Sequence, residues 1–402
     1  MTLAAAEGSR PRRSLILAGG GMRVAYQAGV LLALEEEGLT FFHADGTSGG
    51  TINLAMLLSG LTPAEMCERW RSLDVRGFVS FLRLKKYLRG LSWPAFGGAD
   101  GLRRRVYPHL GIDVERIRAA SGIEGTFNVC DYEEKTNWAV SHREVDEDLL
   151  VAGVSLPMLM PPVRRDGRLY VDSVWIKDAN PSEAVRRGAE ELWLVWCIGN
   201  TTTYRDGAFN QYVHMIEMSA DGGLNEELAH LRAELGPELP ALHVIKPEYP
   251  LPLDPDFYLG RIDANALVAM GYRDAKRYLA NRSPNGVAWD PGATKMRDQP
   301  PGAAFVDKLD GAEIRVDIRD IERFFAGDRT GDAVAMVKGR PAKSGSFALD
   351  GRWRTYELVL DEPVSLRSRS NRWGVLRSLQ STGTDSFRHS VGIVTRLARM
   401  LA

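Results

Sequence analysis

Cysteine is scarce in this chain of 402 residues: Cys67, Cys130 and Cys197 are odd in number and far apart, which argues against a disulfide framework and a CxxC metal site. They read as reduced core thiols and point to a reducing, cytoplasmic setting. Charge of one sign is scarce too. The formal net charge is −1, so no global field favours nucleic acid. There is no apolar run of about 18 residues, so no stretch reads as a membrane-spanning helix, and any membrane contact is expected to be peripheral. Met1–Arg13 lacks the apolar stretch of a signal peptide, and neither end carries a myristoyl or prenyl signal. What remains is an ordinary globular composition, long enough for one large domain and a smaller one.

Two glycine turns near the start are the informative features. Ala18-Gly19-Gly20-Gly21-Met22-Arg23 follows the short apolar run Ser14–Leu17, and Gly46-Thr47-Ser48-Gly49-Gly50 follows Phe41–Asp45. The first lacks the spacing of a dinucleotide fingerprint, which would need glycine where Val24 stands, and it lacks the Gly-Lys-Ser/Thr of a P-loop. The second puts Ser48 on a G-x-S-x-G turn between a strand and a helix, the bend that holds a nucleophile outward. Gly19, Gly20 and Gly21 then offer bare backbone N–H groups for an oxyanion. Arg23 lies in the first turn of a helix, where a cation opposes the helix dipole at a cost of about 0.3–1 kcal/mol. Either it pairs with a neighbouring acid, or it fixes the glycine loop or meets an anionic substrate group.

The glycine turns sit in a repeating strand–turn–helix order. Val24–Glu37 reads as a helix stopped by Gly38, Thr51–Ser59 as a short buried helix, and Thr62-Pro63-Ala64-Glu65 as a capping box opening another. Thr126–Cys130 and Trp138–Val140 read as strands, Asp148–Val154 and Pro181–Gly188 as helices. Glu191–Ile198 is a nearly continuous apolar strand, as expected where both faces are covered. Leu242–Ile245 is another strand and Ala264–Leu279 a long amphipathic helix. The pattern is that of an α/β protein with a parallel sheet. Residues 284–302, rich in Pro and Gly, read as a linker. Beyond it, alternation at Ile314, Val316, Ile318 and at Tyr356, Leu358, Leu360 marks a small β-rich domain over 303–402. That domain closes on an amphipathic helix carrying Phe387, Val391, Val394 and Leu397.

A serine nucleophile needs a base, and an acid stands just past an apolar strand at Leu169-Tyr170-Val171-Asp172. With Gly19-Gly20-Gly21-Met22-Arg23, Gly46-Thr47-Ser48-Gly49-Gly50 and Asp166-Gly167 through Asp172 in this order, the chain resembles the patatin-like phospholipase family over roughly Arg12 to Asn281. The resemblance implies an α/β/α sandwich over residues 12–283 with a mainly parallel central sheet. It also implies a Ser48–Asp172 dyad, an oxyanion hole at Gly19, Gly20 and Gly21, and hydrolysis of lipid or fatty-acyl esters without metal or cofactor. The chain departs from the family in having Ser173-Val174 where glycine usually follows the aspartate, and in a stretch to Pro181 about one residue longer. Ser173 either donates to Asp172 or merely lines the turn. A soluble carboxylesterase or thioesterase with the same dyad, and a non-catalytic lipid-binding protein, are the alternatives. Of the scattered histidines, His230 and His243 are candidates that follow the acid within the sheet domain, where a triad would need one. A dyad needs neither.

Between Arg69 and Arg118 stand twelve basic residues against four acidic ones, interleaved with Phe78, Phe81, Tyr87, Trp93 and Phe96. Such a stretch is either a solvated helical insertion with a core-facing aromatic stripe or a docking surface for an anionic membrane. No feature of the sequence fixes the oligomeric state.

Overall fold

A computed structural model describes residues 11–74, 95, 97–198, 208–247, 251, 264–296, 303–309, 312–318, 330–350, 353–369 and 379–381. Its first sheet contains β1 (Arg13–Leu17), β2 (His43–Thr47), β3 (Glu124–Asp131), β4 (Thr136–Ser141), β5 (Val163–Arg165), β6 (Arg168–Asp172), β7 (Glu191–Val195) and β8 (Ala241–Ile245). The order is β5-β6-β3-β2-β1-β7-β8, with β4 on the other edge of β3. The run from β3 through β2, β1 and β7 to β8 is parallel, while β4, β5 and β6 are antiparallel to their neighbours. The mainly parallel sheet expected from the strand–turn–helix order is therefore present, with an antiparallel flank on the acid's side.

Alternation along the strands sends side chains to two separate cores. Leu15, Leu17, Trp193 and Val195 face one layer, built on helices α1 (Ala25–Glu36), α2 (Gly49–Leu58), α3 (Pro63–Ser72), α4 (Tyr107–Leu110), α5 (Val114–Ala119) and α6 (Glu147–Ala152), together with a later helix, Ala264–Asn281. Ile16, Leu192, Leu194, Leu242 and Val244 face the other layer, built on α7 (Pro181–Arg186) and α8 (Ala208–Leu235). The helix Ala264–Asn281 is α9. Strands covered on both faces explain the unbroken apolar run at Glu191–Ile198.

The helix α8 has no counterpart in the sequence reading. Tyr212, Ile216, Ala220, Leu224, Leu228 and Leu231 form its buried stripe, a clean helical period. Gly222 and Gly223 interrupt it with the signature of a turn, and the packing of that stripe on the sheet overrides them.

Residues 283–296, most of which fall in the expected linker, pack on the first sheet. Val287 N–H donates to Leu242 O at 2.7 Å, Trp289 Nε1 donates to Pro240 O at 3.0 Å, and Lys246 Nζ donates to Ala293 O and Lys295 O, both at 2.6 Å. This Pro/Gly-rich stretch packs along the β8 edge, because turn residues end helices without preventing burial of Trp289 and Met296.

The C-terminal segment is an antiparallel sheet of β9 (Ala303–Leu309), β10 (Ala312–Ile318), β11 (Thr330–Val337), β12 (Arg340–Pro341), β13 (Ser344–Asp350), β14 (Trp353–Val359), β15 (Pro363–Arg369) and β16 (Leu379–Ser381). Its order is β15-β14-β13-β11-β10-β9-β16, with β12 on β11. The expected terminal helix with Phe387, Val391, Val394 and Leu397 lies outside the described residues.

Candidate active site

The glycine loop leaves β1 with Gly20 at φ +156° and Gly21 at φ +55°, angles open to glycine and strained for other residues. Its peptide groups are held one by one. Gly19 N–H donates to Asp178 O at 3.2 Å, the Cys197 thiol donates to Gly19 O at 3.2 Å, and Arg23 Nε donates to Gly20 O at 3.1 Å. Because a trans peptide points its C=O and the following N–H in opposite directions, Cys197 sets the direction of the Gly20 N–H and Arg23 that of the Gly21 N–H. These two amides have no partner among the described residues. The Gly19 amide is spent on Asp178.

Arg23 is buried, and its Nη1 also meets Glu217 Oε1 of α8 at 3.2 Å. These bonds answer the opposing helix dipole with an acid and occupy the guanidinium inside the protein. They support loop fixing, of the roles open to Arg23, over contact with an anionic substrate.

Ser48 turns the chain from β2 into α2 at φ +51°, ψ −126°, and its side chain makes no capping bond. A non-glycine residue held there costs about 1–3 kcal/mol, and its hydroxyl stays unused by the helix. Tight contact behind the bend fixes it. A Cβ on Gly50 would lie 2.0 Å from Leu17 O, and one on Gly49 would lie 2.7 Å from Gly21 O. Gly50→Ala therefore has to push α2 off β1, and a loss of at least about 1–3 kcal/mol is expected. By contrast Gly222→Ala in α8 meets nothing within 4 Å and is expected to add about 0.4–1 kcal/mol. Denaturant midpoints of the two variants, moving in opposite directions, check this pair.

Asp172 comes to this bend through the sheet. On one edge of β3, β2 pairs in register as far as Thr47 with Asn128, and β6 begins its pairing at the next residue, Asp172 with Val129. Two strands running in opposite directions thus meet end to end along β3, one ending just before Ser48 and the other at Asp172. The Asp172 carboxyl is buried, with Oδ1 accepting from Val174 N–H at 2.9 Å. Oδ2 has no partner of full hydrogen-bond geometry. Burial pushes the Asp172 pKa up to about 7, against the opposing pull of the Ser48 hydroxyl and the Val174 amide.

Residues 15–185 match the sequence profile described as patatin-like phospholipase. This part of the chain is similar to patatin-like phospholipases. No curated relative matches the chain. Among solved structures, VipD from Legionella pneumophila is similar at 14% identity and a TM-score of 0.41, over 69% of this chain and 67% of that one. The complex of full-length SpcU with full-length ExoU from the type III secretion system of Pseudomonas aeruginosa gives 15% identity and a TM-score of 0.25, over 56% and 58% of the two chains.

Behind the two strand ends at Ser48 and Asp172 runs a buried amide network with no sequence signal. Asn128 Nδ2 lies 2.8 Å from Asp45 Oδ1, 3.2 Å from Gly46 O and 3.0 Å from Thr47 Oγ1. Its Oδ1 accepts from Asn180 at 2.8 Å and Asn137 at 2.9 Å. Ser173 donates to Asn137 Oδ1, not to Asp172. The residue that departs from the family pattern is thereby tied into the network that joins the serine's strand to the acid's loop.

His230 and His243 stand elsewhere. His230 is exposed on α8 opposite Glu234. His243 is stacked on Trp193 with ring centroids 4.2 Å apart, and its Nδ1 is 3.0 Å from Tyr278 Oη. Its strand lies three strand spacings from β2, about 14 Å.

Of the basic stretch, Arg69 bonds His109 O, Arg71 bonds Asn265 and Gly339 O, Arg103 pairs with Glu147 and Asp148, and Arg118 bonds Arg143 O. Phe78, Phe81, Tyr87, Trp93 and Phe96 lie outside the described residues. Among those residues no cluster of His, Cys, Asp and Glu side chains forms a metal-ligand set, and no helix is long and apolar enough to cross a membrane.

Proposed function

We propose that the chain is a serine acyl hydrolase that cleaves carboxylic esters of lipids, as a phospholipase A does, through a Ser48–Asp172 dyad. The observation that carries this is the strained, uncapped Ser48 at the junction where β6 delivers a buried carboxylate. Asp172 takes the Ser48 proton as Oγ adds to the ester carbonyl, and Gly20 and Gly21 N–H groups receive the oxyanion. The protonated Asp172 then returns its proton to the departing alcohol. Water, deprotonated by Asp172, attacks the acyl-enzyme and releases the fatty acid and free Ser48.

Labelling by a fluorophosphonate probe, lost in Ser48→Ala, tests the assignment, and an unlabelled wild type would leave a non-catalytic lipid-binding protein. Hydrolysis of long-chain phospholipid is expected beside that of short esters. Activity confined to short soluble esters would mark a carboxylesterase or thioesterase instead.

His230→Ala and His243→Ala are expected to keep kcat within about threefold of wild type wherever they fold, because a carboxylate base leaves no proton for an imidazole to carry. Steady-state kinetics on both variants decide. We also assign peripheral contact with anionic membrane to the Arg69–Arg118 stretch, each basic group near the surface adding about 1 kcal/mol. Vesicle sedimentation should show binding to anionic vesicles that high salt removes, whereas equal binding to neutral vesicles would contradict it.

A further inference from the structure

Asp178 is 1% exposed, between Asp172 and α7, and neither carboxyl oxygen has a partner of full hydrogen-bond geometry among the described residues. Its main-chain carbonyl, holding the Gly19 N–H, fixes it beside the glycine loop. A Cβ on Gly19 would sit 2.1 Å from Asp178 Oδ1 and 3.0 Å from Ser48 Cβ. The Asp178 carboxyl and the serine thus flank one α-carbon, and glycine is required at position 19 because the carboxyl fills the space a side chain would take.

A buried carboxylate without a partner is costly, so the group avoids the charge by keeping its proton. The charged neighbours agree. Asp172, at the end of β6, repels a second negative charge, while Arg23 and the Gly19 amide favour it. Lys177, next in sequence, is turned to Asn180 and Glu227. Burial and Asp172 win, and Asp178 stands well above the usual carboxylate range. Two adjacent buried carboxyls, one ionising near neutrality and one held protonated, divide into a base and a donor.

We propose that Asp178 is a third donor of the oxyanion site, its carboxyl O–H hydrogen-bonding to the ester carbonyl oxygen as Ser48 adds to that carbonyl. This rests on Ser48 as the nucleophile. No proton is transferred in the contact. The O–H stays on Asp178, and the charge that develops on the substrate oxygen is shared with the Gly20 and Gly21 amides. Such a donor differs from a backbone amide in one respect: it is lost when it ionises.

The experiment is kcat and KM against pH on a soluble ester for wild type, Asp178→Ala and Asp178→Asn, with fluorophosphonate labelling of each. Asp178→Ala is expected to lower kcat by about 10²–10³ with KM little changed. Asp178→Asn, which offers an N–H in place of the O–H, is expected to recover most of that loss. It should also lack the alkaline fall in kcat that wild type shows as Asp178 ionises. A folded Asp178→Ala with wild-type kcat overturns the proposal, and so does an alkaline limb that persists in Asp178→Asn. Should Asp178→Ala not fold, the Asp178→Asn pH profile decides alone. A wild type that no probe labels removes the Ser48 nucleophile, and this assignment with it, whereas labelling with unaltered Asp178→Ala kinetics removes only this assignment.

Discussion

Ser48→Ala is expected to lower ester hydrolysis by at least about 10³-fold while the protein stays folded. The size follows from the chemistry: without Oγ there is no acyl-enzyme, and only binding and the oxyanion donors remain to assist water. The intact fold follows from the structure. The Ser48 side chain makes no capping bond, so α2 loses nothing with it, and the buried Asp172 carboxyl, deprived of the hydroxyl, answers by holding its proton more firmly. Alanine keeps the strain of φ +51°, whereas Ser48→Gly relieves it and is expected to be the more stable of the two. Ester hydrolysis read beside thermal melts separates lost chemistry from lost structure. Near-normal turnover by folded Ser48→Ala would end the nucleophile assignment.

Asp172→Asn is expected to be nearly as damaging to turnover and yet to stabilise the protein at alkaline pH. Burial raises the Asp172 pKa from 3.8 to about 7, so the folded state holds a proton that the unfolded state has already released. Between those two values stability falls as pH rises, because the folded state binds more protons there. Above about 7 the whole penalty is present, on the order of a few kcal/mol at about 1.4 kcal/mol per unit. Asparagine carries no charge at any pH and escapes it. Denaturant midpoints should therefore favour the variant at pH 8 and coincide with wild type near pH 4. Wild-type kcat/KM should in turn fall as pH drops below about 7, where Asp172 takes up its proton. A variant less stable than wild type at pH 8, or an activity indifferent to pH between 5 and 8, would contradict the buried-base account.

Local patterns in the sequence carried much of the fold, because they are read within one turn or strand. The capping box at Thr62 is an example: its Oγ1 accepts from Glu65 N–H at 3.2 Å, and its own N–H donates to Glu65 Oε2 at 2.8 Å. Long-range partnership is what the sequence hides. Cys197 reads as an inert core thiol, yet it lies 178 residues from the Gly19 carbonyl it holds. Asn128 is a lone polar residue in a strand, and nothing in its neighbourhood announces that Asn137 and Asn180 converge on it. Glu217 is no more visible as the partner of Arg23, because it belongs to α8, whose glycine pair masks the helix itself. The two motif turns reveal where the serine and acid stand along the chain. The residues that aim the loop between them become apparent only in three dimensions.

The end-to-end meeting of β2 and β6 along β3 has a consequence for which length changes the chain tolerates. Separation of the two groups is measured on β3 by adjacent residues, Asn128 and Val129, and not by the chain that connects the serine to the acid. Insertions within that long connection, or after Asp172, leave the ruler untouched, and the extra residue before Pro181 is of this kind. A one-residue insertion in β3 at this junction is different. It would shift one strand end against the other by about 3.4 Å, farther than a proton can be passed between two hydrogen-bonded groups.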